Sequence, residues 1–418
     1  MHNDQPENRN RSAIHLVRVF LPFALGYFIS YLFRNVNAVI APDLVRDLAL
    51  DSASLGLLSS VYLLSFGAFQ LPLGVLLDRF GPRRVESCLL LLAATGALVF
   101  SRAETMTGLV VGRALIGLGV SACLMAAFKA FVIWFPRERL PLANGVQMVS
   151  GGLGALAATT PVEFALRVTD WRGLFSAVAG LTLLAAVILF FVVPEKRQAV
   201  HQESLAGQVR GIGTVLADRF FWRLAPWAVA AQAAYLSIFG LWSGPWLRDV
   251  AGFSRVAVAK TLSGIAVATI LGYLASGALA DRLARRGIPP VKVAASGMGL
   301  FILVQIGFIL TPLVFAVPVW LAFGFFGTAC ILPYAVLSQH FSAQLAGRAN
   351  TALNLLVFFA AFVAQWGIGV IIGFWPQTAT GGYGANGYHA SFGLVIVLQV
   401  VTMVWFRVSG RFGKVRTA

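Results

Sequence analysis

The sequence is poor in charge. Asp, Glu, Lys and Arg make up 11% of its 418 residues, against about 25% in a soluble globular domain. So few charges cannot cover a water-facing surface, and lipid must be the main solvent. Cysteine is scarce too: Cys88, Cys123 and Cys330 are odd in number and all lie in apolar stretches, which argues against a disulfide framework. The five histidines, His2, His15, His201, His340 and His389, fall in tails or loops between apolar stretches. Neither a histidine relay nor a His/Cys metal centre is therefore expected. No glycine-rich run ends in Gly-Lys-Ser/Thr, so a phosphate-binding loop is absent. Nothing resembles a nucleophile with its base. The expectation is a chain with no catalytic residue, no enzyme activity and no cofactor. Met1 to Arg18 is polar, without an apolar core and cleavage site, and reads as a short cytoplasmic tail rather than a signal peptide.

Apolar sequence is what remains, at 58% of residues and a mean hydropathy of +0.81. Runs of roughly 20 apolar residues, each enough to cross ~30 Å of hydrocarbon as a helix, recur from Val19 to Arg407. The runs are continuous rather than alternating, which favours helices over a barrel. The pattern predicts twelve spans, at 19–42, 54–77, 85–103, 107–134, 142–165, 172–193, 225–247, 256–280, 291–311, 314–338, 349–374 and 391–408. The net charge of +16 sits in short loops between spans, as topology requires, and calls for no nucleic-acid partner. With the N-terminus inside, 22 of the 32 Lys and Arg residues are cytoplasmic and 7 lie on the far side. That asymmetry predicts both termini in the cytoplasm of a multi-pass bacterial inner-membrane protein. Trp134, Trp171, Trp246, Trp375 and Trp405 lie near predicted span ends, where an amphipathic ring suits the interface.

The longest polar break, Pro194 to Arg223, divides the spans six and six. The expected organisation is a tail (1–18), a first six-helix bundle (19–193), a central loop (194–224), a second bundle (225–408) and a second tail (409–418). Internal echoes support two repeats. Gly74-Val-Leu-Leu-Asp78-Arg79 after the second span returns as Gly277-Ala-Leu-Ala-Asp281-Arg282 after the eighth, 203 positions later. Pro42 to Asp47 is echoed by Pro245 to Asp249, and Phe135 with Ala143-Asn144 by Phe341 with Ala349-Asn350. Two parallel repeats place a site between them near the midplane.

Gly74, Asp78, Arg79, Gly81, Arg83 and Arg84 resemble the signature loop of the major facilitator superfamily, and Gly277, Asp281 and Arg282 its degenerate second copy. The resemblance covers the whole chain. It implies an all-α membrane protein of two pseudo-symmetric bundles that rock about a central cavity, moving a small solute by alternating access. Gly74, Asp78, Arg79, Asp281 and Arg282 are then candidate gating residues. Asp78 is expected near the N-terminus of the eleventh helix, where the dipole favours an anion. The arginines of the motif serve topology at the least.

Ionisable groups inside a membrane are costly and usually functional. Arg34, Arg113 and Lys129 fall inside predicted spans. Tyr27, Tyr31 and Arg34 are spaced i, i+4, i+7 and share one face. A guanidinium beside two phenols is a fitting anion receptor. This stretch is similar to the first helix of the organophosphate and sugar-phosphate permease branch, which implies Arg34, Tyr27 and Tyr31 as substrate-binding. That branch has a second arginine on the seventh helix; here the equivalent position is Ser237. Its absence counts against a phosphate monoester, and against nitrate and nitrite porters, and favours a carboxylate-type monoanion. Lys129 either adds positive potential to the cavity or snorkels to the interface. Arg113 heads a glycine-rich fourth-helix motif and is expected to be structural. Gln147 and Asn354 are further candidates for the cavity wall.

Carboxylates inside the spans are reduced to Asp43 and Glu163. Glu163 is set to pair with Arg167 at i+4 and is also the candidate proton carrier. Coupling stays open between a proton, a counter-anion and uniport. The fifth span lacks the Gly-Pro-Gly-Gly pattern of proton-driven drug antiporters, which leaves an exporter as the rival. A non-transporting sensor of the same fold would need a larger cytoplasmic element. The expected partners are an anionic small molecule and the bilayer, with the chain acting as a monomer.

Overall fold

The computed structural model describes residues 16–136, 139–195, 205–310, 312–378 and 382–412. The expectations placed on Arg9, Arg11, Arg137, Lys196, Arg197, Lys414 and Arg416, and on His2, His15 and His201, lie outside the described residues. Among the described residues, ten helical stretches are long and apolar enough to cross a membrane. They build twelve spans because Gln70–Ser101 is divided at Gly81 and the fifth span is broken at Ala158 and Thr159. In order the spans are 16–48, 52–80, 82–101, Met106–Trp134, 140–165, Trp171–Val192, Arg219–Asp249, Arg255–Ala284, Pro290–Leu310, Leu313–His340, Ala343–Ile372 and Ala385–Phe412. Leu205–Leu216 forms an extra helix that joins the halves and packs on the eleventh span.

The turn after the second span needs glycine: Gly81 has φ +79°, and Pro82 then restarts the helix. The turn after the eighth span repeats the device with Gly287 at φ +78°. Several of the scarce acidic residues serve as helix caps. Asp51 accepts from Ser54 N at 2.7 Å, Asp170 from Gly173 N at 2.7 Å and Asp218 from Phe221 N at 2.9 Å.

Within the first bundle, small residues let backbones touch, as membrane packing favours. A Cβ on Gly117 would overlap the Tyr62 carbonyl, and one on Gly119 would overlap Ala93 N. Gly119→Val is therefore expected to cost at least about 1–3 kcal/mol by overpacking. The check is a lowered Tm of the purified protein in detergent; an unchanged Tm would show that the third and fourth spans can move apart freely.

Three expectations change here. His389 lies in the first turn of the twelfth span and His340 ends the tenth, because both helices run past their apolar segments. Trp171 and Trp246 are buried in protein rather than at a lipid interface; Trp171 donates to Asp47 at 2.9 Å. Glu86 is a third carboxylate within the spans: it falls inside the predicted segment 85–103 and is buried in the third span.

Candidate functional site

Spans 1 and 7 touch, and both are irregular where they do. The first breaks at Val36, and the seventh carries a π-turn over Ile238–Trp242, a feature common at functional sites. Gly244 of the seventh sits so close to the Ala38 carbonyl of the first that a Cβ would overlap it. Arg113, buried on the fourth span, donates from Nη1 to the Phe33 carbonyl at 3.0 Å and lies over the Tyr62 ring at 5.0 Å. It thus holds the backbone one residue before Arg34.

The Arg34 guanidinium lies 4.7 Å from the Tyr31 ring, 4.9 Å from Phe66 of the second span and 5.6 Å from Phe358 of the eleventh. Those are cation–π distances. Its Nε has no hydrogen-bond partner, and no carboxylate of the described residues lies within 4.0 Å of it. Phe66 and Phe358 belong to opposite bundles and their rings are 4.6 Å apart. Arg34 therefore stands at the seam between the halves.

The other candidates distribute around this seam unequally. Tyr31 is half-buried and edge-on to Tyr27 at 5.0 Å. Tyr27 is buried; its hydroxyl reaches the Met148 sulfur at 3.8 Å and its ring fills the space left by Gly151. It supports the site rather than lining it. Gln147 is fully buried and donates to the Phe23 carbonyl at 3.2 Å; it ties the fifth span to the first and is not on the cavity wall. Asn354 is half-buried on the eleventh span and accepts from the Tyr334 hydroxyl at 2.9 Å. It lies one turn from Phe358 on the side toward Asp78. Tyr273 of the eighth span, absent from the candidate set, is close enough to Tyr31 and Arg34 to interact electrostatically with both. The 203-residue offset maps it to Gln70, a signal that could have found it. Ser237 is buried and bonded to its own helix at the Ala233 carbonyl, 2.7 Å away.

At the end of the molecule bearing Asp43, the halves are locked. Arg255 of the eighth span donates from Nη1 and Nη2 to Asp43 at 3.0 and 2.6 Å, and from Nε to Glu163 at 2.6 Å. Both carboxylates come from the first bundle and are buried. Ser263 of the eighth span meets the hydroxyls of Thr159 and Thr160 at 2.7 and 2.6 Å. Glu163 thus pairs across the bundle interface and not with Arg167, because the broken fifth span turns it toward the eighth. Arg255 occupies the carboxylate proposed as proton carrier.

At the end bearing Asp78 the charges of the signature loop pair differently. Asp78 is ion-paired to Lys129 of the fourth span. The pair lies within the first bundle, so the Lys129 charge is engaged there. The ion-pair partner of Asp78 is thus in its own bundle and not on the eleventh helix. Arg79 lies over Phe80, Arg83 donates to the Val193 carbonyl at 3.2 Å and Arg84 pairs with Glu195 at 2.7 Å. Gly74 is half-buried. In the second copy Asp281 pairs with Arg285 on its own helix, and Arg282 and Gly277 are exposed. No heavy atom lies within 4 Å of a Cβ placed on Gly145, Gly277 or Gly347, near this end.

The family model described as Major Facilitator Superfamily matches residues 23–365. The chain belongs to this superfamily. Superfamily members and the relatives found are transporters, not enzymes. The protein titled "Probable sulfoacetate transporter SauU" of Cupriavidus necator is 27% identical over 278 residues, 63% of this chain and 64% of the relative. The hexuronate transporter of Escherichia coli is 27% identical over 252 residues, 56% of this chain and 58% of the relative. The matched region thus spans about three fifths of either relative. A bacterial homologue of the human lysosomal transporter Spinster, in its inward-facing unoccupied conformation, superposes with a TM-score of 0.77 at 18% identity, covering 96% of this chain and 97% of that one. That likeness concerns the fold. The chain is accordingly a multi-pass membrane protein with the major facilitator fold.

Proposed function

We propose that this chain is a secondary transporter that carries a small organic anion, of the carboxylate type, across a bacterial inner membrane by alternating access. The observation that carries this reading is the Arg34 guanidinium, set at the seam of the two bundles with no carboxylate partner. A permanently charged planar fork whose Nε is unbonded is a receptor for a planar anion. Phenols at Tyr31 and Tyr273 and the Tyr334–Asn354 pair offer hydrogen bonds for hydroxyls elsewhere on the solute. Ser237 in place of a second arginine argues for one negative charge rather than two. Relatives named for sulfoacetate and hexuronate support an anionic substrate.

The bundles 19–193 and 225–408 act as two rocking bodies in a monomer. Both termini are cytoplasmic, so the Asp78 end faces inward and the Asp43 end outward. In this state the outside is shut by Arg255, and Lys129 holds Asp78. When the inside closes, Asp78 exchanges Lys129 for the eleventh helix, with Gly74, Arg79, Asp281 and Arg282 at the same closing face. Asp78→Asn is expected to leave Tm nearly unchanged, since a half-exposed pair is worth about 0–1 kcal/mol, yet to slow transport severalfold. Undiminished transport in that variant would end the gating role.

The test of the whole reading is uptake into proteoliposomes of labelled carboxylates, phosphates and neutral solutes. Entry of carboxylates that saturates and is lost in Arg34→Gln is the expected result. Uptake confined to neutral or cationic solutes, with Arg34→Gln indifferent, would replace it with the exporter reading.

A further inference from the structure

Glu86 sits in the second turn of the third span and is fully buried. Neither carboxyl oxygen has a hydrogen-bond partner, and no cation of the described residues lies within 4.0 Å. The other buried carboxylates are not like this. Asp43 and Glu163 share Arg255, and Asp249 is held by Arg248 at 2.6 Å and the Tyr388 hydroxyl at 2.9 Å.

Its place is built by a gap in the first span: a Cβ on Gly26 would overlap Glu86 Oε1. Leu90 closes one side, and the thiol of Cys123 on the fourth span faces the carboxyl. Charges on the surrounding helices are engaged elsewhere. Arg83 and Arg84 turn to Val193 and Glu195, Lys129 to Asp78, and Arg34 to its aromatic rings. An ionised carboxylate sealed in such a place would have no counter-charge to stabilise it.

We propose that Glu86 is a proton-carrying site within the first bundle, and that its proton travels with the anion bound at Arg34. This rests on the anion-transporter reading. The proton is held while the carboxyl is sealed from water as here, and is exchanged when the rocking of the first bundle admits water to it. Gly26 precedes Arg34 by eight residues, roughly 12 Å along a helix. A negative charge at Glu86 would oppose an anion at Arg34 across that distance, and the neutral acid does not. At an effective dielectric constant of about 20, the difference is roughly tenfold in anion affinity.

The experiment has two arms, both on the purified full chain in proteoliposomes. In the first, infrared spectroscopy at neutral pH reads the carboxylic-acid C=O stretch without any substrate. The wild type should show a protonated carboxyl band that is missing in Glu86→Gln. In the second, labelled galacturonate is offered under an imposed pH gradient. Wild type and Glu86→Asp should accumulate it above equilibrium, while Glu86→Gln exchanges it in counterflow but accumulates none. An infrared band that survives in Glu86→Gln, or accumulation by that variant at the wild-type level, overturns the proposal. If even the wild type moves no galacturonate or other acid, the transport reading fails, and the infrared arm alone decides whether Glu86 holds the proton.

Discussion

Arg34→Gln is expected to weaken anion uptake by roughly 10- to 150-fold while leaving the protein folded. Glutamine keeps much of the length and a hydrogen-bond donor but removes the charge. A hydrogen bond to a charged group is worth about 1.5–3 kcal/mol, and each 1.4 kcal/mol is tenfold. Folding should be spared because no carboxylate loses its counter-ion: Arg34 lies over the faces of Tyr31, Phe66 and Phe358 and beside the Tyr62 hydroxyl. Arg34→Lys separates charge from geometry, since an ammonium has no planar fork; it should fall between the two. The measurement is the concentration dependence of initial uptake for the same labelled acid in all three proteins, with Tm as the control for folding. Equal uptake by wild type and Arg34→Gln would remove the guanidinium from the binding site.

The second large effect is expected at the other charge cluster. Arg255→Gln leaves Asp43 and Glu163, both buried in the first bundle, without the cation that ties them to the eighth span. Breaking a wholly buried pair costs 3–5 kcal/mol. The Arg255 side chain is 40% exposed, so screening lowers this to about 1–3 kcal/mol. The loss falls on one conformation only, because the contact joins the two halves only where they meet at this end. Populations should therefore move about 5- to 150-fold toward the state open at the Asp43 end. Spin labels at Val168→Cys and Val314→Cys, exposed sites near that end in opposite bundles, would report a longer distance. The background replaces Cys88, Cys123 and Cys330. An unaltered distance distribution would show that Ser263 with Thr159 and Thr160, and the Gly244–Ala38 contact, hold this end without Arg255.

Much of the architecture could be read along one dimension. Continuous apolar runs specify helices, and their number and the charge bias between loops follow from counting. The repeated Gly-Asp-Arg segments foretell two halves, and the structure answers them with a left-handed glycine at each turn, Gly81 and Gly287. Arg34 could be singled out for a similar reason: a charge deep in an apolar run is conspicuous whatever surrounds it.

Pairing could not be read in that way. Lys129 pairs with Asp78, 51 positions away; Arg255 reaches Asp43, 212 positions away and also touched by its neighbour Arg46 at 3.4 Å, and it takes Glu163 in place of Arg167. These choices depend on how helices rotate and where they break, as at Val36 and Ala158, and no local pattern encodes that. Glu86 is the plainest case. Its position near a span end suggests a solvated carboxylate, and only the packing of Gly26, Leu90 and Cys123 around it reveals a sealed one. Hydrophobicity and charge order thus determined that the chain spans the membrane twelve times in two related halves. Which charges cancel, and which are left to act, was decided by the contacts between helices, because electrostatic energy depends on distance in space and not along the chain.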